Sequence, residues 1–146
     1  MNAEQVKALL TTDLMVWDEL AWLLEKHPSE NLHGPSSPPW NSRDVYAHFA
    51  RWLNHSSACI EAYCAGKEQP QLPAAPEAMN DIWQKEDSRL TLAQARTKAG
   101  VALANRLAAI EAIPPEKWNA EIHHLVNIDG ATHYAMHINY IKVNNK

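Results

Sequence analysis

The sequence predicts an all-α protein: a four-helix bundle with a long crossover between its second and third helices. Three observations carry that expectation. Four long stretches repeat apolar residues at the three-, four- and seven-residue spacings of one helix face. No stretch alternates apolar and polar residues convincingly as a half-buried strand does. The prolines gather between the four stretches, where they interrupt no helix. The 146 residues suit a single domain, residues 1–146, with no room for a second independent core. Hydrophobic residues at 46% and charged residues at 21% are ordinary globular values and argue against disorder.

The first helix is predicted over residues 3–26. Val6, Leu10, Trp17, Leu20 and Leu24 form its apolar stripe, which Asp13 alone breaks. Residues 27–40 are dense in Pro, Ser and Gly and read as a loop. The second helix begins near Asn41, a good N-cap, with Asp44 in the first turn where a carboxylate suits the helix dipole. Val45, His48, Phe49, Trp52, Cys59, Ile60 and Tyr63 follow at helical spacing, and Gly66 is its stop. Residues 67–87 hold Pro70, Pro73 and Pro76 and a short helical piece around Met79–Gln84. A connection this long means a crossover between non-antiparallel neighbours, or a lid over a site. The third helix spans about Thr91–Ala112. Thr91 and Gln94 make its capping box, Ala and Leu favour it, and Pro114 and Pro115 end it. Residues 116–128 read as irregular, with a turn at Glu116–Trp118. The last helix covers about Asp129–Lys142.

Charge and composition exclude several functions. Lys and Arg total 13 against 17 Asp and Glu, a net charge of −4, and no basic run exists to meet a nucleic acid. Nothing approaches the ~18 apolar residues of a membrane span. Glu4, Asp13, Asp18 and Glu19 interrupt every apolar run near the N-terminus, unlike an export signal. Cys59 and Cys64, on one helix, stand about 7.5 Å apart in rise and on different faces, too far for a disulfide. Two reduced thiols without an export signal point to the cytoplasm.

His and Trp, at eight and six residues, are the two excesses. His133 and His137 stand one turn apart on the same face of the last helix, so their rings can converge on one metal ion. The same spacing also fits two hydrogen-bonded polar residues near solvent. On the second helix His48 lies on the apolar face, between Val45 and Trp52. It is a third ligand candidate or a hydrogen-bonded core histidine. Asp44, one turn earlier, could accept its other ring N–H or simply serve the helix start. His55 is a rival placed nearer the surface. His123 and His124 read as loop residues, and His27 and His33 as solvent-facing. Trp17 and Trp22 belong to the core or rim of the first helix, and Trp40 can staple against Val45. Trp52 would wall a site at His48, and Trp83 and Trp118 cover connections. No Gly-rich phosphate loop, HExxH or GxSxG occurs. Cys59 reads as a small hydrophobe rather than a nucleophile.

The run Trp40-Asn-Ser-Arg-Asp44-Val-Tyr-Ala-His48-Phe-Ala-Arg-Trp52 resembles the W-x-x-x-D-h-x-x-H-h-x-x-W signature of the DinB-like superfamily. Thr132-His133-Tyr134-x-x-His137-x-x-x-Ile141 resembles its last-helix signature. Asn80-Asp81-x-Trp83 is similar to the ClbS/DfsB branch and to the N-terminal domain of mycothiol-dependent maleylpyruvate isomerase. The resemblance spans nearly the whole chain, apart from residues 113–128. It implies a divalent metal, zinc or nickel, held by His48, His133 and His137 with a fourth position open. It further implies a homodimer and a small-molecule substrate. The expected activity is a thiol-dependent transferase, isomerase or hydrolase acting on a small electrophile, with a low-molecular-weight thiol as cosubstrate. The alternative is a non-catalytic binding or self-protection protein with a vestigial metal site. Glu61 and Asp81 are the acid–base candidates. Leu9, Trp22 and Leu23, outside the stripe of the first helix, would meet a second subunit or the crossover.

Overall fold

The computed structural model describes residues 1–32 and 39–144, and among them there is helix and no strand. His33, expected to face solvent, falls outside the described residues. The α1 helix, Ala3–Lys26, opens on a reciprocal cap: Asn2 Oδ1 accepts from the Gln5 N–H at 2.8 Å, and Gln5 Oε1 accepts from the Asn2 N–H at 2.9 Å. The α2 helix, Ser42–Cys64, opens on a second such box, between Asn41 and Asp44. Beyond its end Gly66 takes φ +68°, a left-handed conformation natural to glycine. The α3 helix is Pro76–Glu86. It starts earlier than the expected Met79, because proline in a first turn forgoes an N–H that has no helical partner anyway. A 3₁₀ turn at Asp87–Arg89 leads to α4, Leu92–Glu111, which the Thr91–Gln94 box caps as expected.

The segment 116–128 differs from the irregular reading. After a 3₁₀ turn at Pro115–Lys117 comes α5, Ala120–Ile128, capped by the Asn119 side chain on the Ile122 N–H. Its buried stripe is only Ile122 and Val126, too short to register as a period. His123 and His124 are therefore helical, not loop, residues. The last helix, α6, is Ala131–Asn144. It starts two residues later than expected, since Asp129 ends α5 and Gly130 forms the turn.

The helices pack mainly as α2 on α4 and α1 on α6. Buried Ala95, Ala99, Ala102 and Ala109 give α4 the low profile that lets α2 lie close. Arg43 reaches the Ser88 carbonyl before α4, while Ser56 meets Arg106 far along it, so α2 and α4 run in the same sense. Asp13 meets Tyr134 and Glu19 meets Lys142, so α1 and α6 also run alike. Trp17 meets Phe49 and Ser42 bonds the Leu24 carbonyl, which sets α1 and α2 antiparallel. The main core gathers Trp17, Leu20, Leu24, Phe49, Leu53 and Tyr134, and a smaller one Ile60, Ile110, Ile113 and Ile122.

Asp13 is not a break in the α1 stripe but part of the interior. It pairs with the fully buried Arg106 at 2.8 Å and accepts the Tyr134 hydroxyl at 3.0 Å. Arg106 also donates to Ser56 Oγ and the Val126 carbonyl, so four of its neighbours are tied together. The outer face expected of α1 divides: Leu23 is buried, Leu9 packs partly on the smaller core, and Trp22 is exposed. No helix among the described residues is long and apolar enough to cross a membrane.

Candidate metal centre

His48 sits in the second turn of α2, and His133 and His137 lie one turn apart at the start of α6. The main core brings the two helices together. Phe49 packs edge-on against Trp17 and Tyr134, with centroids 5.6 and 5.5 Å away, and Phe49 follows His48 in sequence as Tyr134 follows His133. The three imidazoles consequently converge, one nitrogen of each lying within 4.8 Å of the others. Ring centroids are 4.9 Å apart for His48 and His137 and 5.1 Å for the other two pairs.

The closest approach is Nε2 of His48 to Nε2 of His133, at 3.2 Å. Two nitrogens on one tetrahedral ion, each about 2.0–2.1 Å from it, lie about 3.3 Å apart. The donor set fits zinc, nickel or another ion that takes imidazole. His48 and His137 are buried and His133 is half-buried. Burial and the Arg106 charge push His133 down to about 4, which keeps its ring neutral near pH 7, the form that ligates. Phe49 packs tilted on the His133 ring at 4.6 Å and edge-on to His137 at 4.9 Å, Trp40 packs tilted on His48 at 5.1 Å, and Tyr140 edge-on to His137 at 5.3 Å. These aromatic walls hold the rings in place and keep water from their sides.

The other expected residues distribute differently. Asp44 works at the helix start, where its carboxylate accepts from the Asn41 N–H at 3.0 Å and from Arg43 at 2.7 Å. Trp52 donates to Asn80 and packs on Trp83 and His55, whereas the rings found against the three histidines are Trp40, Phe49 and Tyr140. His55, the rival ligand, lies outside the cluster with Nε2 3.5 Å from Cys59 Sγ. Cys59 is buried; burial and the Asp129 charge push its thiol up, so it is no ready thiolate. His123 stacks on Trp118 and His124 is exposed. His27 pairs with Glu30. Glu61 and Asp81 are both exposed, and Glu61 is about 19 Å along α2 from His48. Sequence reasoning missed Asp129. It is buried, one turn before His133, with Oδ1 3.8 Å from His133 Nδ1. Burial raises its carboxyl to about 6 against the pull of Arg106. Its i, i+4 spacing to a candidate ligand was the available signal.

Among the described residues a small cavity touches the cluster at His48. Asp44, Asn80, Trp83 and Gln84 help to line it, and its volume is about 10 Å³, room for one water. A larger groove of about 430 Å³ lies elsewhere, between Val6 and Leu10 of α1 and Ile113 and Trp118. Compared with protein-family models, with curated proteins and with solved structures, the chain gives no significant match.

Proposed function

We propose that this chain is a metal-dependent member of the DinB-like superfamily, binding one divalent ion, zinc or nickel, through His48, His133 and His137. The observation that carries the reading is the convergence of these three imidazoles from two helices on one point. The two motifs of the resemblance lie at the start of α2 and on α6, and the three histidines they contain are the ones that meet. The shared direction of α2 and α4 supports a four-helix bundle of α1, α2, α4 and α6, in which the α3 segment is the crossover. The resemblance itself rests on the motif residues alone.

Three ligating histidines would leave a tetrahedral ion one position for an exchangeable ligand, the layout of catalytic sites. Such an ion supplies Lewis acidity and lowers the pKa of a thiol that reaches it. The chain's own residues hold the three rings, exclude water from their faces through Phe49, Trp40 and Tyr140, and keep His133 neutral. The activity that follows is a thiol-dependent transferase, isomerase or hydrolase acting on a small electrophile, in a homodimeric, cytoplasmic protein. The cavity beside His48 favours a second reading: with room for a single water, the site suits a binding or self-protection protein whose metal is vestigial.

Metal analysis of untagged protein tests the site. Unmodified protein is expected to carry up to one equivalent, and His133→Ala or His137→Ala to lose it; unchanged occupancy refutes the ligand set. Thiol-transfer screens of zinc- and nickel-loaded protein, pairing several low-molecular-weight thiols with small electrophiles, separate the two readings. Turnover that vanishes in His133→Ala supports the enzyme, and no turnover with any pair leaves the binding protein.

A further inference from the structure

An imidazole that gives one nitrogen to a metal must carry its proton on the other. His133 turns Nε2 into the cluster, 3.2 Å from Nε2 of His48. Its Nδ1 faces away, is buried, and has no hydrogen-bond partner. The acidic oxygen facing that nitrogen is Asp129 Oδ1 at 3.8 Å, and the two side chains are only 13% and 12% exposed. A buried N–H left without an acceptor is costly. We infer that Asp129 is a positioning residue of the metal centre, accepting the Nδ1–H of His133 and so fixing the tautomer and ring orientation that present Nε2 to the ion.

This deepens the metal-binding reading and rests on it. As a hydrogen bond, the 3.2 Å contact needs one Nε2 to donate and the other to accept. With both lone pairs turned to an ion, the His133 proton resides on Nδ1, and a small side-chain rotation closes the gap to the about 2.8 Å of a charge-assisted bond. The backbone around Asp129 is suited to hold it there. Arg106 donates to the Val126 carbonyl before it. A Cβ on Gly130, after it, would stand 2.8 Å from both Arg106 Nη2 and Asp13 Oδ2, so the turn lies directly on the buried ion pair. Asp129 and His133 thus ride on one anchored turn, and the anchor is independent of the metal.

The experiment measures zinc and nickel affinity by chelator competition for unmodified protein, Asp129→Ala, Asp129→Asn and the control His137→Ala, with metal-free melting recorded for each. Asp129→Ala is expected to weaken binding about 10- to 100-fold at unchanged stoichiometry. Asp129→Asn, whose amide oxygen still accepts, is expected to recover part of the loss. ¹⁵N-resolved spectra of zinc-loaded unmodified protein are expected to show His133 protonated at Nδ1, a signature that a merely structural role for Asp129 would not require. Unchanged affinity in Asp129→Ala overturns the inference. So does a loss in both variants that only tracks lower metal-free melting, or a His133 protonated at Nε2, which needs no variant to fold. If unmodified protein binds neither metal, or His137→Ala binds as tightly, the metal reading fails and this inference with it. If binding requires His137 but ignores Asp129, this inference alone falls.

Discussion

Cys59 and Cys64 stand on the same helix, yet their thiols meet different surroundings. Burial pushes both up; the Asp129 charge adds to the rise at Cys59, whereas Lys117 offsets it at Cys64. Burial also pushes the neighbouring His55 down, so the pair is a neutral imidazole beside a protonated thiol. A packed thiol and an activated one react oppositely. Iodoacetamide at pH 8, followed by peptide mapping, is expected to label Cys64 first and Cys59 at least about tenfold more slowly. Faster labelling of Cys59 would make His55 its activating base. The histidines show what was legible at this scale. His133 and His137 announce themselves by their spacing, while His48 is set apart from His55, on the same helix, by its place on the apolar face and by the motif. Asp129 stayed hidden: it was expected only as the start of the last helix, and its approach to His133 depends on where Arg106 anchors the turn before that helix.

Glycine-to-alanine changes in two elements are expected to have opposite signs. At Gly130 the new methyl would meet Arg106 and Asp13, both buried and bonded, so neither can step aside. Overpacking of that kind costs about 1–3 kcal/mol. Gly100 lies on the exposed side of α4, with nothing within 4 Å of a built Cβ, and alanine there is expected to stabilise by about 0.5–1 kcal/mol. Urea unfolding reads both as midpoint shifts at constant slope. Asp13→Ala is expected to cost more, about 3–5 kcal/mol, because it strands Arg106 as an uncompensated buried charge. Helix ends with polar caps were readable, as Asn41 and Thr91 show, because a cap is a local bond between residues three apart. The α5 helix was not: two buried residues cannot establish a period, and the helix forms because Ile122 and Val126 find the smaller core. Asp13 was misjudged for the same reason, since its partner Arg106 is 93 positions away.

At the scale of the whole molecule, the all-helical class followed from periodicity alone, but the outer surface did not, since which apolar residues stay uncovered depends on every packing angle. Leu23, expected to mark an interface, is in the core. Leu23→Glu would therefore bury a charge and unfold the chain rather than report on assembly. Among the large apolar residues left outside are Met15 and Trp22 on α1, 68% and 62% exposed, and Met136 and Val143 on α6, 47% and 48% exposed. Each pair is spaced by seven, so each lies along one helix face. The two helices are neighbours running alike, and the Lys142–Glu19 ion pair spans their seam at 3.1 Å. A homodimer through this face would be two-fold, each Trp22 meeting the same patch on the other subunit. Trp22 is the anchor to remove, for a large exposed aromatic dominates contacts of this kind. Light scattering at tens of micromolar is expected to give a dimeric mass for the unmodified protein and a monomeric one for Trp22→Glu. Metal-free melting of the diluted monomer is expected to be nearly the same for both, because Trp22 is mostly exposed and belongs to neither core. A monomeric unmodified protein discards the dimer, and a dimer indifferent to Trp22→Glu moves its interface off the α1–α6 face.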